Sequence, residues 1–347
     1  VPHPSLAHAS DLLFRITLAL YAMAMLAYVA ELAFARRGLI RSREAVPAAV
    51  AVPEERALVG AGAPVGGGPL PPAPVDRSAG PSSSRRLTFG LLAVGLVGAG
   101  WLVHAAEVIT RGIGVMRVPW GNMYEFSSAI CLVVVGAFVV LNVQRRATNL
   151  GVFVMVPVVL YLGLAGTVLY ARAEPLQPVL NSYWLVIHVA AAIIATGTLM
   201  LSGVVSSVHL GRRRYERLVT AGKAPGFSAL TRMLPDARTL DRVEYRIIAF
   251  GFPIWTFAVI AGAIWAEAAW GHYWQWDPKE TWALISWIVY AAYLHARSTP
   301  GLRKWAAHIS SLAFATMIFN YYVVNLLIVG KHSYAGVKVA SALSALH

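Results

Sequence analysis

The chain has little of what thiol, metal or soluble-domain chemistry requires. Among 347 residues there is one cysteine, Cys131, set inside an apolar run. That excludes a disulfide framework, a C-x-x-C redox pair and a cysteine-based zinc site. No C-x-x-C-H occurs, so the chain is not itself a c-type cytochrome. Charged residues make up 13%, against about 25% in an ordinary soluble domain. Acids are the scarcer sign, 16 against 29 Lys and Arg, for a formal net charge of +13. A basic excess points to nucleic acid only when it clusters on a soluble, groove-facing surface. Here the bases sit between apolar runs, so no nucleic-acid partner is expected. What is abundant is apolar: 58% of residues are hydrophobic, which places the chain in a membrane.

Apolar windows of about 18 residues or more are long enough to cross a hydrocarbon core of about 30 Å as helices. Eight are expected, at residues 12–35, 87–109, 124–143, 152–172, 184–210, 247–268, 281–296 and 305–329. The first lacks a basic leading segment and is too long for a signal peptide, so it reads as a span. Lys and Arg concentrate in the loops after spans one, three, five and seven, 21 against six on the other side. Cytoplasmic loops retain such residues, so both termini are expected outside. Residues 42–86 are rich in Ala, Pro, Gly and Ser and lack large apolar side chains, the composition of a disordered cytoplasmic linker. The expected fold class is therefore an all-α integral membrane protein of about eight transmembrane helices. Its expected parts are a first helix within 1–41, a linker at 42–86 and a seven-helix core at 87–347.

Six of the eleven tryptophans fall between Trp265 and Trp287. The densest stretch runs from Trp270 through Trp274, Trp276 and Asp277 to Trp282, on an outer loop between helices six and seven. An interfacial aromatic belt accounts for one or two tryptophans at a membrane face, and less well for four in thirteen residues. Asp277-Pro278-Lys279-Glu280 reads as a helix start, with Asp at the N-cap, Pro at the first position and Glu at the third. A helix N-terminus favours anions, so a large flat aromatic ligand with acidic groups would suit this surface. Porphyrin fits that description, and a quinone fits it without the acids.

Of ten histidines, His3, His8 and His347 read as solvated near the termini, His209 as incidental beside the Arg212 cluster, His104 and His308 as interhelical hydrogen-bond partners, and His272 as a loop contact. Three are better placed. His188 lies one turn beyond Trp184 at the outer end of span five, and His332 just outside span eight, both on the side of the tryptophan loop. Two neutral imidazoles converging from opposite sides are a common ligation of haem iron. His295 lies 17 residues after Pro278, roughly 25 Å further along its helix, so it belongs to a separate site needing a second ligand from elsewhere. A dihaem electron carrier would want paired histidines at two depths, which the spacing does not offer. A quinone- or lipid-binding subunit would need only the aromatic loop.

The run W-G-x-x-W-x-W-D-x-K-E, followed by Y-x-x-Y-L-H, resembles the WWD signature of haem-handling proteins, here over residues 265–295. The closest resemblance is to the CcsA (ResC) family of cytochrome c biogenesis, called CcsB in actinobacteria. Pro119-Trp120-Gly121-Asn122-Met123-Tyr124-Glu125, Trp184 to His188, and His332-Ser333-Tyr334-Ala335 are similar to that family's other motifs. Those motifs, with the span pattern, favour it over the CcmC and CcmF branches. The resemblance covers about residues 87–335. It implies a haem-handling subunit of a cytochrome c synthase in a bacterial cell membrane. His188 and His332 would be outer haem ligands and His295 the transmembrane one, with Trp270, Trp274, Trp276, Asp277 and Trp282 as the haem surface. Asn122 and Glu125 are expected to orient haem or incoming peptide, the alternative being a loop turn and helix start. Haem b would be bound as substrate for attachment to apocytochrome c, with a ResB-like membrane subunit and a thiol-reducing pathway as partners. Arg117, Arg172 and Lys331 are candidates to neutralise propionates.

Overall fold

A computed structural model describes residues 3–44, 81–145, 148–173, 182–223, 231–328 and 330–331. All regular structure among them is helical: α1 (Pro4–Glu44), α2 (Pro81–Val115), α3 (Met123–Arg145), α4 (Gly151–Thr167), α5 (Tyr183–Thr220), α6 (Ala237–Trp270), α7 (Pro278–Ser298) and α8 (Ala306–Ile318). The last runs on through one π-helical turn, Phe319–Val323, into Val324–Leu327. Helices follow from the composition, because a backbone without water must satisfy its own polar groups.

Six helices are long and apolar enough to cross a membrane: α1, α2, α3, α5, α6, and α8 taken over Arg303–Leu327. The expected spans at 152–172 and 281–296 fall short of that standard for different reasons. The fourth helix has 17 residues, about 25 Å, less than a hydrocarbon core of about 30 Å. Helix α7 has 21 residues but carries Lys279, Glu280, His295 and Arg297. Most of the 42–86 stretch lies outside the described residues.

Two packed halves make up the bundle. In one, α1 lies along α2 and also against α4; in the other, α5 lies along α6, and α7 against α8. Contacts of α3 with α5 join them, and α8 also packs on α5 within the second. Helix α1 is built into the core. Tyr21, His104, Ser128 and Glu107 form one hydrogen-bonded row across α1, α2 and α3. Ser128 Oγ donates to Glu107 at 2.8 Å, so His104 Nε2 donates to Ser128 at 2.9 Å and Nδ1 accepts from the Tyr21 hydroxyl at 3.2 Å. His104 is thus the interhelical hydrogen-bond partner expected of it. Its counterpart His308 is not: it is exposed and lies edge-on to Trp305 at 5.7 Å. His209, set aside as incidental in the sequence, is buried, 2.8 Å from Glu244.

A second polar knot sits at the end of α2. Arg111 is 1% exposed. It donates to Glu125 at 2.9 Å, Asp11 at 3.2 Å and the Ala171 carbonyl at 2.6 Å. Arg117 reaches the same Glu125 carboxylate at 2.8 Å. Four segments meet there, so the knot fixes α1 and α3 against α2.

Candidate functional site

Helix α6 stops at Trp270 because Gly271 takes a left-handed conformation (φ 76°), one that residues with a Cβ rarely adopt. Helix α7 starts with the capping box written in Asp277-Pro278-Lys279-Glu280. Asp277 accepts from Lys279 N at 3.0 Å, and Glu280 accepts from Asp277 N at 3.2 Å and Gln275 N at 2.9 Å. The tryptophan loop is therefore pinned at both ends. Within it Trp276 holds φ at 58°, a strained value for an aromatic residue, and its ring stays 68% exposed.

Beneath the loop lies a cavity of about 230 Å³ between the starts of α3, α5 and α7, the end of α6 and the π-helical turn. His188 and Trp274 line it, as does Asn122. The Nδ1 of His188 lies 2.8 Å from the Ala258 carbonyl. A carbonyl only accepts, so Nδ1 carries the hydrogen and the ring's lone pair is on Nε2. The imidazole lies parallel to Trp265, 4° between planes and 6.3 Å between centroids. Gly262 makes room for it, since a Cβ there would stand 2.7 Å from His188 Cε1.

The other expected residues scatter around this centre. Trp270 packs on Trp265 at 4.8 Å, Trp276 meets Trp274 edge-on at 5.7 Å, and Trp282 lies against Phe319 at 4.0 Å. Glu125 does not face the cavity: its carboxylate is turned to Arg111, Arg117 and Gly121 N. Asn122 accepts from Glu125 N at 2.9 Å and starts α3. His295 is exposed on α7, seventeen residues past Pro278 and far from the cavity. His332 lies outside the described residues, but its neighbour Lys331 does not. Asp277 Oδ1 accepts from Lys331 N at 2.7 Å, and the Lys331 ammonium meets Gln275 and stands 5.5 Å over Trp270. Lys279 donates to Asn325 at 2.6 Å. Among the propionate candidates Arg117 is paired with Glu125 and Arg172 is exposed.

Sequence reasoning passed over Trp120, Trp255, Gly262, Trp265 and Asn320, all in the cavity wall. Trp120 and Trp265 stood inside motifs already singled out, and Asn320 is a polar residue in an apolar run, a signal in itself. Trp255 offered none. Among the described residues, the buried indole N–H groups of Trp120 and Trp255 and the side-chain oxygen of Asn320 have no hydrogen-bond partner.

A family model described as "Cytochrome C assembly protein" matches residues 120–332, from Trp120 to His332, so it takes in the whole cavity. The chain is 34% identical over 260 residues to the cytochrome c biogenesis protein CcsA of Guillardia theta, covering 69% of this chain and 85% of that protein. It is 32% identical over 296 residues to CcsA of Gloeobacter violaceus, covering 72% and 86%, and 34% identical over 245 residues to CcsA of Heterosigma akashiwo, covering 62% and 76%. With that coverage and the all-helical membrane bundle, the chain belongs to the CcsA family of cytochrome c assembly proteins, multi-pass membrane proteins of cytochrome c biogenesis.

Proposed function

We propose that the cavity holds haem as a substrate and presents it, on the outer face of a bacterial cell membrane, to the thiols of apocytochrome c. The observation that carries this reading is the His188 hydrogen bond to Ala258. It fixes the neutral tautomer and directs the Nε2 lone pair, the arrangement by which a protein prepares a histidine for a metal. His332 would supply the second axial nitrogen. The partnerless N–H groups of Trp120 and Trp255 suit carboxylate acceptors such as propionates. A cavity of about 230 Å³ is smaller than the ~300–1,000 Å³ that encloses a drug-sized ligand. It would grip one edge of haem and leave the rest for a partner.

Attachment adds each cysteine S–H across a vinyl C=C: a C–S bond forms, the hydrogen goes to the other vinyl carbon, and nothing is oxidised. No protein nucleophile is needed, and holding both reactants at one surface lowers the barrier chiefly by orientation. The apocytochrome must arrive reduced, hence the thiol-reducing pathway. The full activity would need a ResB-like subunit. His295, exposed on α7, would meet that subunit's histidine at a second haem site. We further place both termini outside, count α4 and α7 as the remaining two of eight spans, and read the residues between α1 and α2, the greater part of 42–86, as a linker between the first helix and the core. A quinone site is the alternative that the aromatic wall alone would allow.

The test is the visible spectrum of the purified chain, alone and with a ResB-like partner. Sharp reduced haem bands should be lost in His188→Ala and His332→Ala and return with added imidazole, while His295→Ala should matter only with the partner. A haem-free spectrum with partner and ample haem would sink the proposal and leave the quinone reading. Gly262→Ala should weaken haem retention at least tenfold, because the new methyl occupies the place of the His188 ring. Gly211→Ala, with nothing within 4 Å of the added carbon, should not.

A further inference from the structure

A second concavity, of about 1160 Å³, opens at the far end of α5 and α6 from the tryptophan loop. Helix α5 has 38 residues, about 57 Å of helix, more than the ~40–45 Å of a bilayer with its headgroups. Its last turns therefore stand at headgroup level or beyond. Arg213 and Arg217 reach this cavity from α5, Arg238 and Arg242 from α6, and Arg303 and Lys304 from the connection before α8.

Among the described residues the wall has two carboxylates, and both are engaged. Glu216 pairs with Arg212 at 2.8 Å, outside the wall, and Asp241 with Arg297 at 2.9 Å and Arg303 at 3.2 Å. Arg217, Arg238, Arg242 and Lys304 form no ion pair among the described residues. The arrangement is also braced: Arg213 donates to the Lys304 carbonyl at 2.8 Å, and Arg242 to Thr239 Oγ1 at 3.1 Å. Retention of bases at one membrane face explains how many arginines there are, but not their convergence. Arg214, Arg232 and Arg246 serve the same charge balance without lining the cavity. Converging cations in a concave wall focus positive potential, and guanidinium forks match phosphate oxygens. Basic pockets between membrane helices at this depth take phospholipid headgroups.

We propose that this cavity binds a phosphate-bearing ligand, carried either by an acidic phospholipid or by a soluble phosphorylated molecule. The full chain in detergent is titrated with phosphatidylglycerol, phosphatidylcholine or inorganic pyrophosphate, and bound adducts are counted by native mass spectrometry. The wild type is compared with the triple variant Arg217→Gln, Arg238→Gln, Arg242→Gln and with the equally neutralised triple Arg214→Gln, Arg232→Gln, Arg246→Gln. Phosphatidylglycerol should bind at least tenfold more tightly than phosphatidylcholine, weaken at least tenfold in the first triple and stay within twofold in the second. Saturable pyrophosphate binding with the same variant pattern, without a preference for phosphatidylglycerol, would assign the soluble source instead. Absence of both, or equal losses in the two triples, overturns the proposal. Should the first triple aggregate, the single variant Arg217→Gln, at an exposed position, should show the same preference reduced by at least threefold.

Discussion

Glu125→Ala is expected to cost the protein more stability than any substitution in the cavity wall. The carboxylate is 1% exposed and serves Arg111, Arg117 and Gly121 N together. Its removal leaves the guanidinium of Arg111 buried with Asp11 as its remaining carboxylate, and that one is a quarter exposed. Breaking a buried ion pair by deleting one partner costs about 3–5 kcal/mol, a large share of the stability of a typical domain. Glu125→Gln, which keeps an acceptor for Gly121 N, should cost less. Thermal unfolding in detergent, followed by helical signal or by the fraction surviving size exclusion, measures both. A Glu125→Ala protein as stable as the wild type but impaired in haem binding would return Glu125 to the ligand surface and take it out of the frame of the fold.

The same residue marks the boundary of what could be read from sequence. Asn122 and Glu125 stand three apart at a helix start, and that spacing is what an N-cap requires; the structure uses Asn122 in that way. The partners of Glu125 lie 8 and 14 residues earlier in the chain, and no local pattern names a partner across a turn. Local grammar was legible wherever one segment wrote the whole feature. The apolar runs became helices, Asp277 to Glu280 became a capping box, and Cys131 is buried and unbridged. Features that two segments write together were hidden. The burial of His209 depends on Glu244, and the cavity depends on where Trp255 and Asn320 are carried by α6 and the π-helical turn.

Asp277→Ala is expected to disable the proposed haem site through another residue, His332. One carboxylate oxygen caps α7 at Lys279 N, and the other accepts from Lys331 N at 2.7 Å. Lys331 immediately precedes His332 in the chain, so on the reading proposed above the second bond holds the neighbour of that ligand against the start of α7. Gly330 tightens the fit: a Cβ there would stand 2.7 Å from Asp277 Oδ1. Loss of the cap alone costs about 1 kcal/mol, which stability measurements would register without loss of haem. Loss of the tie should reduce holocytochrome formation with the partner subunit at least tenfold, as should Gly330→Ala, which attacks the same contact from the other side. Asp277→Asn should fall between, because its amide nitrogen faces one of the two N–H groups and can no longer accept from it. Added imidazole should restore reduced haem bands in Asp277→Ala as in His332→Ala, since in both the missing group is an axial nitrogen. Asp236→Ala is the control, for Asp236 caps α6 through Thr239 N and touches nothing near the loop. If Asp277→Ala behaved like Asp236→Ala, then Asp277 would be a helix cap and no more, and the placement of His332 would have to come from elsewhere.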